Sequence, residues 1–323
     1  MVAKARVSIE WLSGCSGCEV GIVDLHEKLL AVLDNIELVR IPILMDTKDY
    51  VKADVGLITG SLRTEHDVEA AHKMREACDA IIAFGTCPVY GGPQSAAYCH
   101  SSEELLHNSF GNNRSTSTNS SPENVPKLLD GNRALDSEIK VDLYIPGCPP
   151  HPVYIFEGLT SLLQNKEPQI GRFNVCYHCD RTMVKTEQAT LRRSHEGEYD
   201  PSICYLSQGC LCFGSATLDR CMAPCPRTSV PCFSCGGPSE AIILETNKDV
   251  RTMVAERMAH LTNIPYDTIV SEIERQAKTH YAYAMGSPIF REKPTFLLKK
   301  WLGSEQGQTQ SRLRVVEDRT GGK

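Results

Sequence analysis

The sequence has no apolar run approaching the ~20 residues that cross a bilayer, so no membrane-spanning helix is expected. Its start, MVAKARVSIEWLSGC, goes straight into a strand-like pattern. A charged segment, an apolar stretch and a small-residue cleavage site in succession are missing there, as is a twin-arginine leader. An excess of positive charge is also lacking. Lys and Arg number 34 against 40 Asp and Glu, a net −6, which gives nucleic acid no electrostatic footprint. No G-x-G-x-x-G fingerprint, Walker loop or zincin spacing of histidines occurs, so the usual signs of nucleotide binding and zinc proteolysis are absent. The compartment expected from these absences is the cytoplasm, where thiols stay reduced and structural disulfides are a poor explanation for cysteine.

Cysteine is nevertheless what the chain has in excess: 15 in 323 residues. Nine fall between Cys176 and Cys235 and six between Cys15 and Cys148, as C-x-x-C pairs or singly in Gly/Pro-rich loops. That pattern points to bound metal, and to several iron–sulfur clusters in particular. Hydrophobic content of 41% and charged content of 23% are those of an ordinary globular protein. The length allows one large core, or a core plus a second domain.

Up to about residue 170, strand-like and helix-like stretches alternate. Strands are expected over 5–13, 36–44, 54–60, 79–85 and 142–147. Helices are expected over 19–33, 65–78 and 151–166, the last with Pro152 in its first turn. This alternation predicts an α/β domain, a flavodoxin-like, doubly wound parallel sheet in three layers. The Ser/Asn/Thr-rich stretch 108–124 reads as a surface loop or insert. From 171 to 245 periodicity fades, Gly and Pro are frequent and nine cysteines crowd in, so metal sites are expected to organise an irregular domain. Residues 246–323 return to helix and end in a polar tail from Ser304. The segment 294–303 mixes apolar and basic residues and suits packing on the chain's own body or on a partner.

Cys15 and Cys18 follow the first strand, Cys87 follows the strand ending at Gly85, and Cys148 follows the strand ending at Gly147. In an open parallel sheet, ligands bind at the carboxyl edge. Four thiolates converging there make a site for a 4Fe-4S cluster or a zinc ion. Gly14, Gly17, Gly91 and Gly92 allow close backbone approach. Cys78 and Cys99 are read as non-ligands, with Cys78 in the core. The nine later cysteines offer two sets of four with one spare, and a zinc ribbon competes with clusters on spacing alone.

The run CSGC, its following helix EVGIVDLHEKLL, then GTCPVYGG and PGCPP resemble the small subunit of nickel–iron hydrogenases, closest to the cytoplasmic methyl-viologen-reducing (coenzyme-F420-non-reducing) type. The resemblance implies that Cys15, Cys18, Cys87 and Cys148 hold a proximal 4Fe-4S cluster facing a large subunit. It implies a distal 4Fe-4S cluster on Cys176, Cys179, Cys204 and Cys212, with Cys210 as the alternative to Cys212. Cys176 takes the place often held by histidine, which leaves His178 solvated or beside the site. The medial cluster falls to Cys221, Cys232 and Cys235, and Cys225 supplies the fourth ligand that distinguishes 4Fe-4S from the 3Fe-4S form. Thr59 departs from a glutamate common in the family. The function implied is electron transfer from H2 oxidation in the large subunit, through three clusters, to a downstream 2Fe-2S protein or heterodisulfide-reductase-like complex. A cluster-bearing subunit of another dehydrogenase and a zinc-stabilised scaffold are the competing readings.

Overall fold

The computed structural model describes residues 4–111, 114–116, 121–164, 166–245, 248–276 and 283–287. Segment 294–303, the tail from Ser304, part of the 108–124 stretch and the Cys99 side chain lie outside the described residues.

The chain runs β1 (Ala5–Trp11), α1 (Gly17–Val23), α2 (Glu27–Leu33), β2 (Ile36–Arg40), β3 (Ala53–Thr59), β4 (Leu62–Thr64), α3 (Glu65–Ala77), β5 (Cys78–Phe84), α4 (Thr86–Tyr90), α5 (Ser102–Leu106), β6 (Leu128–Arg133), β7 (Leu143–Ile145) and α6 (Pro152–Leu163). Five strands form one parallel sheet in the order β2-β1-β3-β5-β7. Renumbered within that sheet the order is 2-1-3-4-5, that of the flavodoxin-like doubly wound fold, whose switch point lies between β1 and β3.

Both faces of the sheet are buried, which is why its strands are apolar runs. Val7, Ile9, Val55, Leu57, Ile82 and Phe84 point to one side, against Leu25, Val32, Ile155 and Leu159 of the α1/α2/α6 layer. Ile58, Ile81 and Ala83 point to the other, against Ala70, Ala71 and Met74 of α3. Thr64 and Asp67 close a capping box at the start of α3, and Pro152 opens α6.

Two differences from the expected elements have physical causes. The helix expected over 19–33 is two helices. The backbone tightens at Leu25 and His26, whose N–H groups reach back three residues to Ile22 and Val23, and His26 takes φ 51. This turns Leu25 inward and leaves Val20, Val23 and Leu30 on the surface, each more than half exposed. The strand expected over 36–44 stops at Arg40, ahead of Pro42, which has no N–H for a ladder. The antiparallel pair β4–β6 has no counterpart among the elements expected from sequence.

Among the described residues after α6 come only 3-10 turns and short helices, α7 (Pro224–Arg227) and α8 (Glu240–Leu244), before α9 (Val250–Leu261) and α10 (Tyr266–Arg275). The α3 side of the core does not stop at residue 170. It continues through Val175, Tyr205, Leu206 and Phe213 to Ile242, Val254, Met258, Ile269 and Ile273. The cysteine-rich segment therefore shares an apolar core with α9 and α10, where the sequence suggested metal sites alone. Among the described residues no helix is long and apolar enough to cross a membrane.

Candidate metal centres

Strands β1, β5 and β7 end at one edge of the sheet, and the loops beyond them carry Cys15 and Cys18, Cys87, and Cys148. Backbone bonds lock the last two loops together: Gly85 N–H donates to Ile145 O at 2.8 Å and Thr86 N–H to Gly147 O at 2.7 Å. Glycine is required at two points. Gly85 has φ +101, and a Cβ there would stand 2.3 Å from Cys18 Sγ; Gly92 has φ +66, and a Cβ there would stand 2.4 Å from Cys87 Sγ. Burial pushes the Cys18 thiol up, and the charges of Cys87, Glu19, Cys148 and Cys15 push it further. Cys87 is pushed up to about 12 by burial and then by Cys148. Cys148 is raised by burial and by Cys15. The four sulfurs thus form one electrostatic group, with Cys15 exposed at its outer side.

A second group joins Cys176, Cys179, Cys204 and Cys212. Burial raises Cys176 to about 11, with Cys204 and Cys179 adding to the rise, and Cys204 is raised in turn by burial and Cys179. Cys212 is pushed up to about 12 by burial, with Cys176 and Cys204 adding to it. A Cβ on Gly214 would lie 3.4 Å from Cys176 Sγ and 3.8 Å from Cys212 Sγ, so both sulfurs face the same stretch of backbone. Cys210 is elsewhere. Its thiol meets Tyr199, and the charges that act on it are those of Arg192 and Arg181, not of another cysteine.

The third group, Cys221, Cys225, Cys232 and Cys235, lies between the other two. Burial raises Cys235 to about 12, and Cys148 of the first group adds to this ahead of Cys221 and Cys225. Cys232 is raised well above its ordinary value by burial and then by Cys212 of the second group. Its N–H donates to Cys212 Sγ at 3.3 Å. Thr86 ties this group to the first, donating to Cys235 O at 2.7 Å while accepting from Gly147 N–H at 3.0 Å.

The backbone around these sulfurs is built for anions. Ser16, Met222, Ala223 and Ser234 take φ between 52 and 65 although none is glycine. Each lies within two residues of a grouped cysteine. Left-handed residues cost about 1–2 kcal/mol apiece, and they turn successive N–H groups to one side. Such N–H groups reach the sulfurs of Cys204 (from Leu206 and Ser207), Cys212 (from Cys232 and Gly214), Cys221 (from Ala223) and Cys232 (from Ser234). N–H···S bonds of this kind tune iron–sulfur centres. Among the described residues no three His, Cys, Asp or Glu side chains close on a single ion position.

Two carboxylates join these sites without any sign in the sequence pattern. Glu19, beside Cys18, is buried; its Oε1 accepts from Thr59 Oγ1, and Oε2 has no protein partner. The sheet edge that carries threonine at position 59 therefore still has a carboxylate, supplied by α1. Asp219 is buried at 1% exposure. Its Oδ1 accepts from Cys221 N–H at 3.1 Å and Met222 N–H at 3.0 Å, while Oδ2 meets His178 Nδ1. His178 thus braces the turn Cys176–Cys179 against that of Cys221. Neither carboxylate stands in a motif that spacing alone would single out.

The chain is similar to several known proteins. The family described as NADH ubiquinone oxidoreductase, 20 Kd subunit, matches residues 15–162, from the first grouped cysteine into α6. A subunit of the F420-non-reducing hydrogenase vhu of Methanococcus voltae is 37% identical over 257 residues, 79% of this chain and 90% of that protein. The iron-sulfur subunit of the F420-non-reducing hydrogenase of Archaeoglobus profundus is 34% identical over 260 residues, 70% of this chain and 80% of that protein. In the crystal structure of an NAD+-reducing nickel–iron hydrogenase in the H2-reduced state, one chain matches with a TM-score of 0.50 and 31% identity, over 52% of this chain and 96% of that one. The chain belongs to the family of F420-non-reducing hydrogenase iron-sulfur subunits.

Proposed function

We propose that this chain is the electron-transferring small subunit of a cytoplasmic nickel–iron hydrogenase. It takes electrons from H2 oxidation in a large subunit and passes them to a partner redox subunit, a 2Fe-2S protein or a heterodisulfide-reductase-like complex. The observation that carries the reading is the arrangement of twelve cysteines in three adjoining groups, the middle one in contact with both others. Residues 1–170, 171–245 and 246–323 divide the chain into sheet domain, cysteine-rich segment and C-terminal part, with one apolar core running across both boundaries.

Cys15, Cys18, Cys87 and Cys148 would hold the proximal 4Fe-4S cluster, Cys221, Cys225, Cys232 and Cys235 the medial one, and Cys176, Cys179, Cys204 and Cys212 the distal one. Iron–sulfur clusters bound there supply one-electron transfer, which ordinary side chains cannot perform. The chain's residues ligate, space and dry the three sites. Exposed Cys15, with Val20 and Val23 more than half exposed on the adjoining helix, offers the large subunit an apolar face next to the first group. At the other end Tyr177 is 62% exposed and stacks on Phe173 beside Cys176, a surface suited to the downstream partner.

The ligand sets are open to substitution. Cys210→Ala should keep the full iron content, whereas Cys212→Ala should lose the distal signal; the reverse result would exchange their roles. Cys225→Ala should convert the medial site to a three-ligand 3Fe-4S centre, read as a new EPR signal in the oxidised protein. The function itself is tested by purifying the chain with its natural partners. A nickel-containing large subunit and H2-dependent dye reduction are expected. Clusters without nickel or hydrogen chemistry would point to another dehydrogenase, and zinc without iron to a scaffold.

A further inference from the structure

Four arginines are buried in the described structure: Arg40, Arg181, Arg220 and Arg251. A buried cation costs several kcal/mol unless an anion answers it. Arg40 pairs with Glu10 at 2.9 Å, and Arg251 with Glu274 at 2.7 Å. Arg220 has the Asp219 carboxylate within range of its charge. Arg181 is held mainly by backbone oxygens. Its Nε donates to Pro226 O at 3.0 Å, Nη1 to Asp200 O at 2.7 Å and Ile203 O at 3.0 Å, and Nη2 to Tyr205 Oη at 3.2 Å. Its guanidinium lies 4.1 Å from the Tyr205 ring centroid. The Asp200 carboxylate lies within range of its charge but hydrogen-bonds to Ser202, and Asp180 pairs with Arg227. Among the described residues Arg181 forms no ion pair.

The elements that hold Arg181 belong to two cysteine groups. It follows Cys179 by two residues; Ile203 and Tyr205 flank Cys204; Pro226 follows Cys225 in α7. One guanidinium therefore joins the second group to the third through backbone carbonyls that cannot drift. A second such cation reaches the second group from the helical extension. Arg257 on α9, half-buried, hydrogen-bonds toward the Cys176 sulfur, and its Nη1 lies 3.9 Å from Met183 Sδ. Among the described residues it too lacks an ion pair.

We propose that Arg181 and Arg257 are the fixed countercharges of the two anionic centres in the cysteine-rich segment, Arg181 shared between them and Arg257 belonging to the one that includes Cys176. Thiolate-ligated iron–sulfur centres are anions, and reduction adds a negative charge. A fixed cation stabilises the reduced form more than the oxidised one, so it raises the potential. Both residues act as positioning residues for electron flow, and the inference rests on the cluster reading above.

The test is EPR-monitored redox titration of the assembled complex, with the distal signal identified as the one lost in Cys179→Ala. Arg257→Gln should shift the distal reduction equilibrium at least tenfold toward the oxidised form, about 59 mV for one electron, and leave the medial signal in place. Arg181→Gln should lower both. If Arg181→Gln does not retain its iron, Arg181→Lys is measured instead, and it should hold both midpoints at the wild-type values because the charge is kept. Unchanged midpoints in an iron-replete Arg257→Gln complex would overturn the inference, as would a Lys variant whose midpoints fall. A wild-type complex with no iron–sulfur signals from this segment would overturn the cluster reading itself, which separates the two failures.

Discussion

Cys15→Ala should abolish hydrogen-dependent reduction of every acceptor served by this chain, while hydrogen–deuterium exchange at the large subunit's nickel–iron site persists. Cys15 is exposed and lies outside both apolar clusters, so the substitution removes little packing. On the proposed reading, its loss would take one of the four thiolates from the sheet edge and, with it, the first step out of the large subunit. Stopped-flow reduction of the remaining clusters by H2 measures the effect. Reduction at the wild-type rate would show that electrons do not enter through this group.

Iron removal should have the second large effect, and a local one. Between Cys176 and Cys235 the regular structure consists of 3-10 turns and α7, each of three or four residues. Ligation of eight cysteines would link those turns, and a metal-organised segment loses its fold with its metal. Limited proteolysis of the chelated chain should cut within the exposed stretch 192–202 and then throughout the segment. The parallel sheet has its own two-sided core and should resist. The core shared with α9 and α10 should leave Phe213 and Tyr205 the slowest parts to open. An unchanged cleavage pattern after complete chelation would mean that packing alone holds the segment.

The sequence made the sheet legible because a parallel strand buried on both faces is a continuous apolar run that ends in turn residues, as at AIIAFG. It also placed the first cysteine group, since strand ends in such a sheet converge on one edge. Helix surfaces were less legible. Val20, Val23 and Leu30 have the spacing of a core stripe, but the break at His26 leaves them outside. In the second half, nothing periodic marks left-handed backbone at Met222, Ala223 and Ser234, because these residue types rarely adopt it. Nor does spacing show that Cys212 faces Cys176 while Cys210 turns to Tyr199; a two-residue step there separates a sulfur that faces other cysteines from one that faces a tyrosine. Glu19, Asp219 and Arg181 act through contacts 40 residues away, 41 away and across separate loops, and local sequence carries no signal of that.

One count tests the three-cluster assignment most directly: iron, acid-labile sulfide and zinc in the purified chain, with EPR of the reduced protein. Three 4Fe-4S centres predict about 12 irons and about 12 sulfides per chain, with three distinct reduced signals. Iron near a third of that with zinc in the second half, or zinc throughout, would contradict it.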